Sequence, residues 1–162
     1  MSHQRRQNLN EKLTLHGHYT VEGYDADGNL VERHEVDNLL TTAFYTKILN
    51  FLNQASASPA VADLNITHMA TGTGTASPSQ ADTAMGTELF RKAPASKIAG
   101  TNMFTCKLIL LPAESNGTIT ELGVFCNGTD TAGSGTLISH ASCNIVKTAT
   151  TKYLLTWKLT LA

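Results

Sequence analysis

An all-β fold is predicted by this 162-residue sequence, specifically an antiparallel β-sandwich, jelly-roll-like, with one amphipathic helix and an extended N-terminal arm. Three observations predict it. Residues 103–161 fall into successive runs with apolar side chains at every second position, the period of a half-buried strand. Turn-forming Gly, Asn, Asp and Ser separate those runs. Only one stretch, near residues 39–53, repeats its apolar residues at helical spacing. A chain of this length forms a single domain with room for a core, and residues 13–162 are assigned to it.

The elements follow in order. Residues 1–12, MSHQRRQNLNEK, are polar and read as an extended arm, either disordered or ordered only against a partner. LTLHGHYTVEGY then alternates Leu13, Leu15, Tyr19 and Val21 with Thr14, His16, His18 and Thr20. DADGN turns the chain and LVERHEV returns, giving a hairpin. Pairing Tyr24 with Val31 sets Glu22 opposite Arg33, Tyr19 opposite Val36 and His18 opposite Asp37. A slip of one residue would set Glu22 against Glu32, so like-charge repulsion selects the first register.

Asp37 or Asn38 is expected to cap a helix starting at Leu39 and ending near Asn53, with Leu40, Phe44, Ile48, Phe51 and Leu52 on its apolar side. A small-residue loop with Pro59 follows. DLNITHMA is a short strand running into TGTGTASPSQ. Ser79 or Asp82 is expected to cap a one-turn helix across ADTAMG, and Glu88 to Arg91 opens the next extended segment. The whole stretch Ile66–Arg91 reads as a joint between the helical third and the strand-rich half. NMFTCKLILL places Phe104, Cys106, Leu108 and Leu110 on one face. GTITELGVFC places Leu122, Val124 and Cys126 on one face, with Ile119 and Phe125 on the other. NGTDTAGSGT reads as a flexible connection, TLISHASCNIVK as one or two short strands, and TKYLLTWKLTLA as a closing strand.

Composition excludes several functions. Charged residues are only 15% of the chain and the net charge is −1. Low charge with abundant Thr, Ala, Ser and Gly suits a protein whose surface is covered by neighbours. Arg5 and Arg6 are too few to make the basic face that a nucleic-acid binder needs. No apolar run approaches the roughly 20 residues that span a bilayer, and the first residues lack an apolar signal core, so neither membrane nor export is expected. Three cysteines, Cys106, Cys126 and Cys143, lie without metal-type spacing. Cys106 and Cys126 fall in apolar runs that suit buried thiols.

No catalytic, cofactor-binding or metal-binding residue is assigned. The glycine-threonine run lacks the Gly-Lys-Ser/Thr of a phosphate cradle and the third glycine of a dinucleotide fingerprint. The glycine of DADGN comes too early for a calcium loop. His16 and His18 share a face, but His34 points to the other side, short of three convergent ligands. His68 and His140 stand alone in the sequence and read as structural. No Ser or Cys lies beside a base and an orienting acid. Glu88 and Glu121 could form a facing carboxylate pair, yet each reads more simply as an ion-pair partner of an Arg or Lys, and Arg91 lies three residues beyond Glu88. The residues singled out for structure or assembly are therefore Arg5, Arg6, Glu88, Arg91, Glu121 and Trp157, the last on the apolar face of its strand. An enzyme is not expected.

The order of these segments carries a resemblance. YDADGNLVERHEVDNLLT, a helix, ITHMATGTGTASPSQADTAMGTELFR, the strand ITELGVF and a closing TWKLTL are together similar to small virion proteins of tailed bacteriophages and to domains of phage tail fibres and baseplates. The shared features are an Asn-Leu-Leu-Thr helix start, a Gly-Thr-Gly-Thr loop, an Asp-Thr-x-x-x-x-Glu-Leu-x-Arg segment and a Glu-Leu-Gly-Val-Phe strand, across residues 13–161. Met85 and Gly86 depart from that pattern, at positions that affect packing. The resemblance implies a virion protein made in the host bacterial cytoplasm, a homo-oligomer partnered by the major capsid protein or by tail and baseplate proteins. Capsid decoration or cement is the first expectation, a tail, baseplate or fibre-attachment component the alternative. A carbohydrate-binding module is the other class, and it would need an exposed aromatic.

Overall fold

The computed structural model describes residues 14–52 and 64–162. Among the described residues, ten strands and one helix follow one another as β1 (Leu15–Tyr24), β2 (Leu30–Asp37), β3 (Leu39–Leu40), α1 (Thr42–Leu52), β4 (Ile66–Gly72), β5 (Glu88–Lys92), β6 (Ser96–Ala99), β7 (Met103–Leu110), β8 (Gly117–Cys126), β9 (Thr136–Lys147) and β10 (Lys152–Leu161). They form two antiparallel five-stranded sheets, ordered β2-β1-β10-β7-β6 and β3-β9-β8-β4-β5. The chain changes sheet after β2, β5, β7 and β9. The predicted all-β sandwich with one short helix is the observed architecture. The arm over residues 1–12, and with it Arg5 and Arg6, lies outside the described residues, as does the loop containing Pro59.

The core is the layer between the sheets. Tyr19, Val21, Cys106, Leu108, Leu110, Tyr153, Leu155 and Trp157 come from the first sheet. Met69, Leu122, Val124, Ile138 and Ile145 meet them from the second. Alternation makes this possible, because each strand presents its even or odd set inward. Trp157 is fully buried and stacks edge-on with Phe104 at 6.4 Å between ring centroids. It lies opposite Tyr19 on β1 and Cys106 on β7.

The β1–β2 hairpin takes the charge-selected register, with His18 opposite Asp37, Tyr19 opposite Val36 and Glu22 opposite Arg33. Near the turn a bulge intervenes, and Tyr24 pairs with Leu30 rather than Val31. Asp25 explains the shift, since its carboxylate accepts from the Asn29 amide at 2.8 Å and tightens the turn by one residue.

Three further differences have local causes. The helix begins at Thr42, because Asp37 and Asn38 are engaged elsewhere: Asp37 bonds His18, and the Asn38 side-chain amide donates to Ser139 Oγ at 2.6 Å. Leu39 and Leu40 instead pair with His140 and Ser139. Thr41 becomes the cap, its hydroxyl accepting from the Phe44 amide at 3.3 Å while donating to the Leu137 carbonyl at 2.7 Å. Only Phe44 of the helix is fully buried; Phe51 and Leu52 of the expected apolar side are 49% and 74% exposed. Between β8 and β9 the register shifts after Ile119, β9 advancing three residues where β8 advances two, and Ile119 lies in the core with Leu122 and Val124. Finally, β9 is a single 12-residue strand.

Candidate functional site

The glycine-threonine run leaves β4 at Gly72 and crosses the outer face of the second sheet as residues 73–87, a strap, before entering β5. Met85 of the strap packs onto Ala70, Phe125 and Leu137 beneath it in a small apolar cluster. Met85 rests over Gly123, where a Cβ would stand 2.7 Å from its sulfur, so the larger side chain at 85 depends on a bare backbone at 123.

Glu121 fastens the strap. Its side chain is buried, and both carboxylate oxygens are used. Oε1 accepts from the amides of Gly74 at 2.9 Å and Thr87 at 2.7 Å. Oε2 accepts from the Gly86 amide at 2.9 Å and lies 3.0 Å from His140 Nε2. A Cβ at Gly74 would stand 2.6 Å from Oε1, so glycine is what lets the backbone approach the carboxylate. Burial pushes the Glu121 carboxyl up, but the amides of Thr87, Gly86 and Gly74, with His140, outweigh it and hold the group below its ordinary value.

His140 stands between two acids. Its Nδ1 is 2.6 Å from Asp82 Oδ2, on the strap, and its side chain is only 5% exposed. A neutral imidazole has a single N–H, so both contacts become hydrogen bonds only in the imidazolium form. Burial also pushes Asp82 up, and the Ser79 amide and His140 together hold it below the ordinary value. The one-turn helix expected across residues 81–86 is absent. Asp82 accepts from the Ser79 amide at 2.8 Å and Ser79 Oγ from the Ala81 amide at 3.2 Å, closing a turn. A helix would have consumed the Gly86 and Thr87 amides that Glu121 needs.

A second buried charge pair sits beside the strap. Arg91 and Glu88, both on β5, form the ion pair that their spacing suggested, including Nη2 to Oε2 at 2.7 Å. The guanidinium stacks on Phe125, 4.4 Å from its ring centroid, and donates to the Thr129 and Ser134 carbonyls at 3.0 and 2.9 Å. The Gly133 amide donates to Glu88 at 3.2 Å. The connection over residues 127–136, expected to be flexible, is thus hydrogen-bonded onto this pair.

Of the residues chosen from sequence, Glu88 and Arg91 come together as an ion pair and Trp157 lies in the core. Glu121 differs from its expectation, since its partners are three backbone amides and a histidine rather than Arg or Lys. Glu88 and Glu121 are each committed to their own donors. Asp82 was read as a cap and His140 as structural, but their meeting with Glu121 was not foreseen, and Lys147 was not singled out. Lys147, 1% exposed, donates to the Pro112 carbonyl, Asn116 Oδ1 and the Thr148 carbonyl at 3.1, 3.0 and 3.4 Å. Burial lowers its pKa.

The bare face of the first sheet has a different character. His18 lies 2.6 Å from Glu35 and 3.1 Å from Asp37, and Arg33 bridges Glu35 at 2.6 Å and Glu22 at 3.5 Å. Hydrogen bonds from His18, Arg33 and Thr20 hold Glu35 down at about 2. Between β2 and β9 runs a cleft of about 420 Å³ lined by residues 34–37 and 142–145.

Nothing in the site leaves a nucleophile poised. Burial pushes the Cys106 and Cys143 thiols up to about 12 and Cys126 to about 11. Among the described residues no three His, Cys, Asp or Glu side chains are grouped to hold a metal ion, and no helix is long and apolar enough to cross a membrane. Compared with models of known protein families, with characterised proteins and with solved structures, the chain has no match. Chemically, the Asp82–His140–Glu121 arrangement is a fastening: Glu121 holds three strap amides directly and reaches the strap's Asp82 through His140.

Proposed function

We propose that this chain is a non-enzymatic structural protein of a tailed-phage particle, a capsid decoration or cement protein that works through oligomeric assembly with the major capsid protein. The observation that carries the reading is where charged and apolar groups lie. The buried charges of Arg91, Glu121 and Lys147 are consumed in fixing the fold, whereas apolar side chains are left uncovered at sheet edges and on the helix. Leu30 and Val31 on the edge strand β2 are 51% and 52% exposed, Ile98 on the opposite edge strand β6 is 57% exposed, and Leu49 and Leu52 on α1 are 65% and 74% exposed. Natural edge strands are usually blunted by charge or covered, and exposed apolar side chains at such edges favour protein partners. The low overall charge fits the same reading.

A carbohydrate-binding module is disfavoured, because Trp157 is fully buried and has no face for a sugar ring. The test is direct. Labelled protein is added to tailed-phage particles and imaged bound to them. Regular density on the capsid supports decoration; regular density on the tail or baseplate supports the alternative placement; no saturable binding to either overturns the virion reading.

A further inference from the structure

The two sheets are finished differently on their outer faces. The strap crosses the second, whereas the first keeps apolar side chains in the open, with Met103 and Ile109 of β7 40% and 37% exposed. Charge is divided across this bare face. Because Tyr19, Val21, Cys106 and Trp157 enter the core, their neighbours along each strand point outward. On β1 and β2 the outward residues include the carboxylates Glu22, Glu35 and Asp37 against one guanidinium, Arg33, so this half is acidic once His16 and His18 are neutral. Glu35 and Asp37 bond His18 and Arg33 within their own copy, yet the Asp37 side chain is fully exposed and that of Glu35 is nearly half so. On β7 and β10 the outward residues include Lys107, Lys152 and Lys158, and neither strand contains an acid.

The registers align the two halves. Glu35, Thr20, Thr156 and Lys107 form one row across the sheet, and Asp37, His18 and Lys158 belong to the next. A two-fold axis parallel to the strands, between β1 and β10, lays β2 of one copy over β7 of the other. Each row then meets itself reversed, so Glu35 faces Lys107, Lys107 faces Glu35, and Lys158 lands beside Asp37. The Glu35–Lys107 row lies midway along β1, between His16 and Tyr24, where the angle of about 30° between packed twisted sheets displaces it least. A two-fold across the strands would instead set β2 over β2, acid against acid, and charge selects the first arrangement. A hollow of about 410 Å³ beside Arg33, Lys107, Leu154 and Lys158 gives side chains of the second copy room to enter. Strands about 4.8 Å apart, rising about 3.3 Å per residue, make a face of about 600 Å² per copy, the low end for a specific interface. A dimer of that size dissociates on dilution, so dilute protein reports the stability of the single chain.

We infer that the bare face of the first sheet is the contact with a second copy of this chain, in an isologous dimer that pairs Glu35 with Lys107 twice. The inference rests on the assembly reading above and names its surface and symmetry. Sedimentation of the full-length chain at about pH 8, above the ordinary range of histidine, tests it. The wild type is expected to dimerise as its concentration rises. Glu35→Lys and Lys107→Glu, each alone, set like charges together at both contacts and should weaken dimerisation about tenfold or more. Denaturation of dilute protein checks that each variant is folded; where one is not, Asp37→Lys and Lys158→Glu repeat the swap in the next row. Mixing the two single variants makes a heterodimer whose contacts are both opposite in charge, and joining the substitutions in one chain does the same, so dimerisation should return in each case. A wild type that stays monomeric up to about 1 mM overturns the inference. So do single variants that dimerise like wild type, and a loss that neither mixing nor the combined variant repairs. If a monomeric wild type loses particle binding through the same substitutions, the face serves another virion protein and the second copy is equally overturned. The two readings fail separately. Particle binding by a chain that never dimerises removes only the dimer, and charge-swap recovery without particle binding removes only the virion assignment.

Discussion

Two carboxylate–histidine contacts in this molecule use the same chemistry for different ends. Glu121 and His140 are buried under the strap, while Glu35 and His18 lie on the bare face of the other sheet, 46% and 38% exposed. At Glu121 the low dielectric makes every unpaired group costly, so each oxygen is matched to donors and the set acts as one unit. Around Glu35 water competes for the same hydrogen bonds, and screening leaves an exposed pair with little stabilising effect. Burial, rather than residue type, decides which contact holds the fold and which stays exposed to competing water.

The largest effect should come from reversing a buried charge. Arg91→Glu would place two carboxylates against each other under Phe125 and strand the Thr129 and Ser134 carbonyls. The expected loss is about 5 kcal/mol, a large part of the stability of a domain this size. Expression, solubility and chemical denaturation read it out. A soluble, monodisperse variant that assembles like wild type would contradict the structural role given to the pair.

Next comes Glu121→Ala, which leaves three amides and His140 without their acceptor. The expected cost is about 3–5 kcal/mol. It should also be local: the amides of Gly74, Gly86 and Thr87 ought to exchange with solvent far faster than those of the β1–β10 ladder. Uniform loosening of both sheets would show that Glu121 is not specific to the strap.

How far sequence reaches differs between these same two regions. The β1–β2 register was legible because its determinants are adjacent in the chain: Glu22, Glu32 and Arg33 choose it by charge, and Tyr19 and Val36 by pattern. The core side of β7 and β10 followed from alternation alone. Under the strap, the partners are remote. Asp82 and Glu121 are 58 and 19 residues from His140, and their meeting depends on register shifts between β8 and β9 that no period-two pattern reveals. The glycines at 74, 86 and 123 were the visible trace, since each marks a close approach without naming what approaches. Lys147 was hidden for a related reason, as its acceptors are mainly backbone carbonyls, which every sequence contains.

Acid should separate the two regions more gently than mutation. Asp82 and Glu121 are held below their ordinary values of 3.8 and 4.5, so their contribution is complete above those values and is lost as pH falls through the lower folded-state values. Exchange of the Gly74, Gly86 and Thr87 amides should accelerate in that range before the β1–β10 ladder opens. His18 runs the other way. Hydrogen bonding to Glu35 raises it above 6.5, against the lowering effect of burial, so its pairing is complete below 6.5 and disappears as pH rises through the raised value. If the strap amides and the ladder amides accelerated together on acidification, the fastening would not be a separate unit.

The smallest effect is the sharpest test of the comparison. Glu35→Gln removes the leading cause that lifts His18, leaving Asp37 to raise it against burial. His18 should therefore titrate at lower pH, followed through its ring proton resonances, while the denaturation midpoint at neutral pH stays where it was. The two readouts decouple only if the pair is electrostatically real and structurally dispensable. At Glu121 no such decoupling is available, because the carboxylate that contacts His140 is the one that holds the strap. A Glu35→Gln variant that unfolded markedly more easily would place the bare face in the same structural class as the covered one.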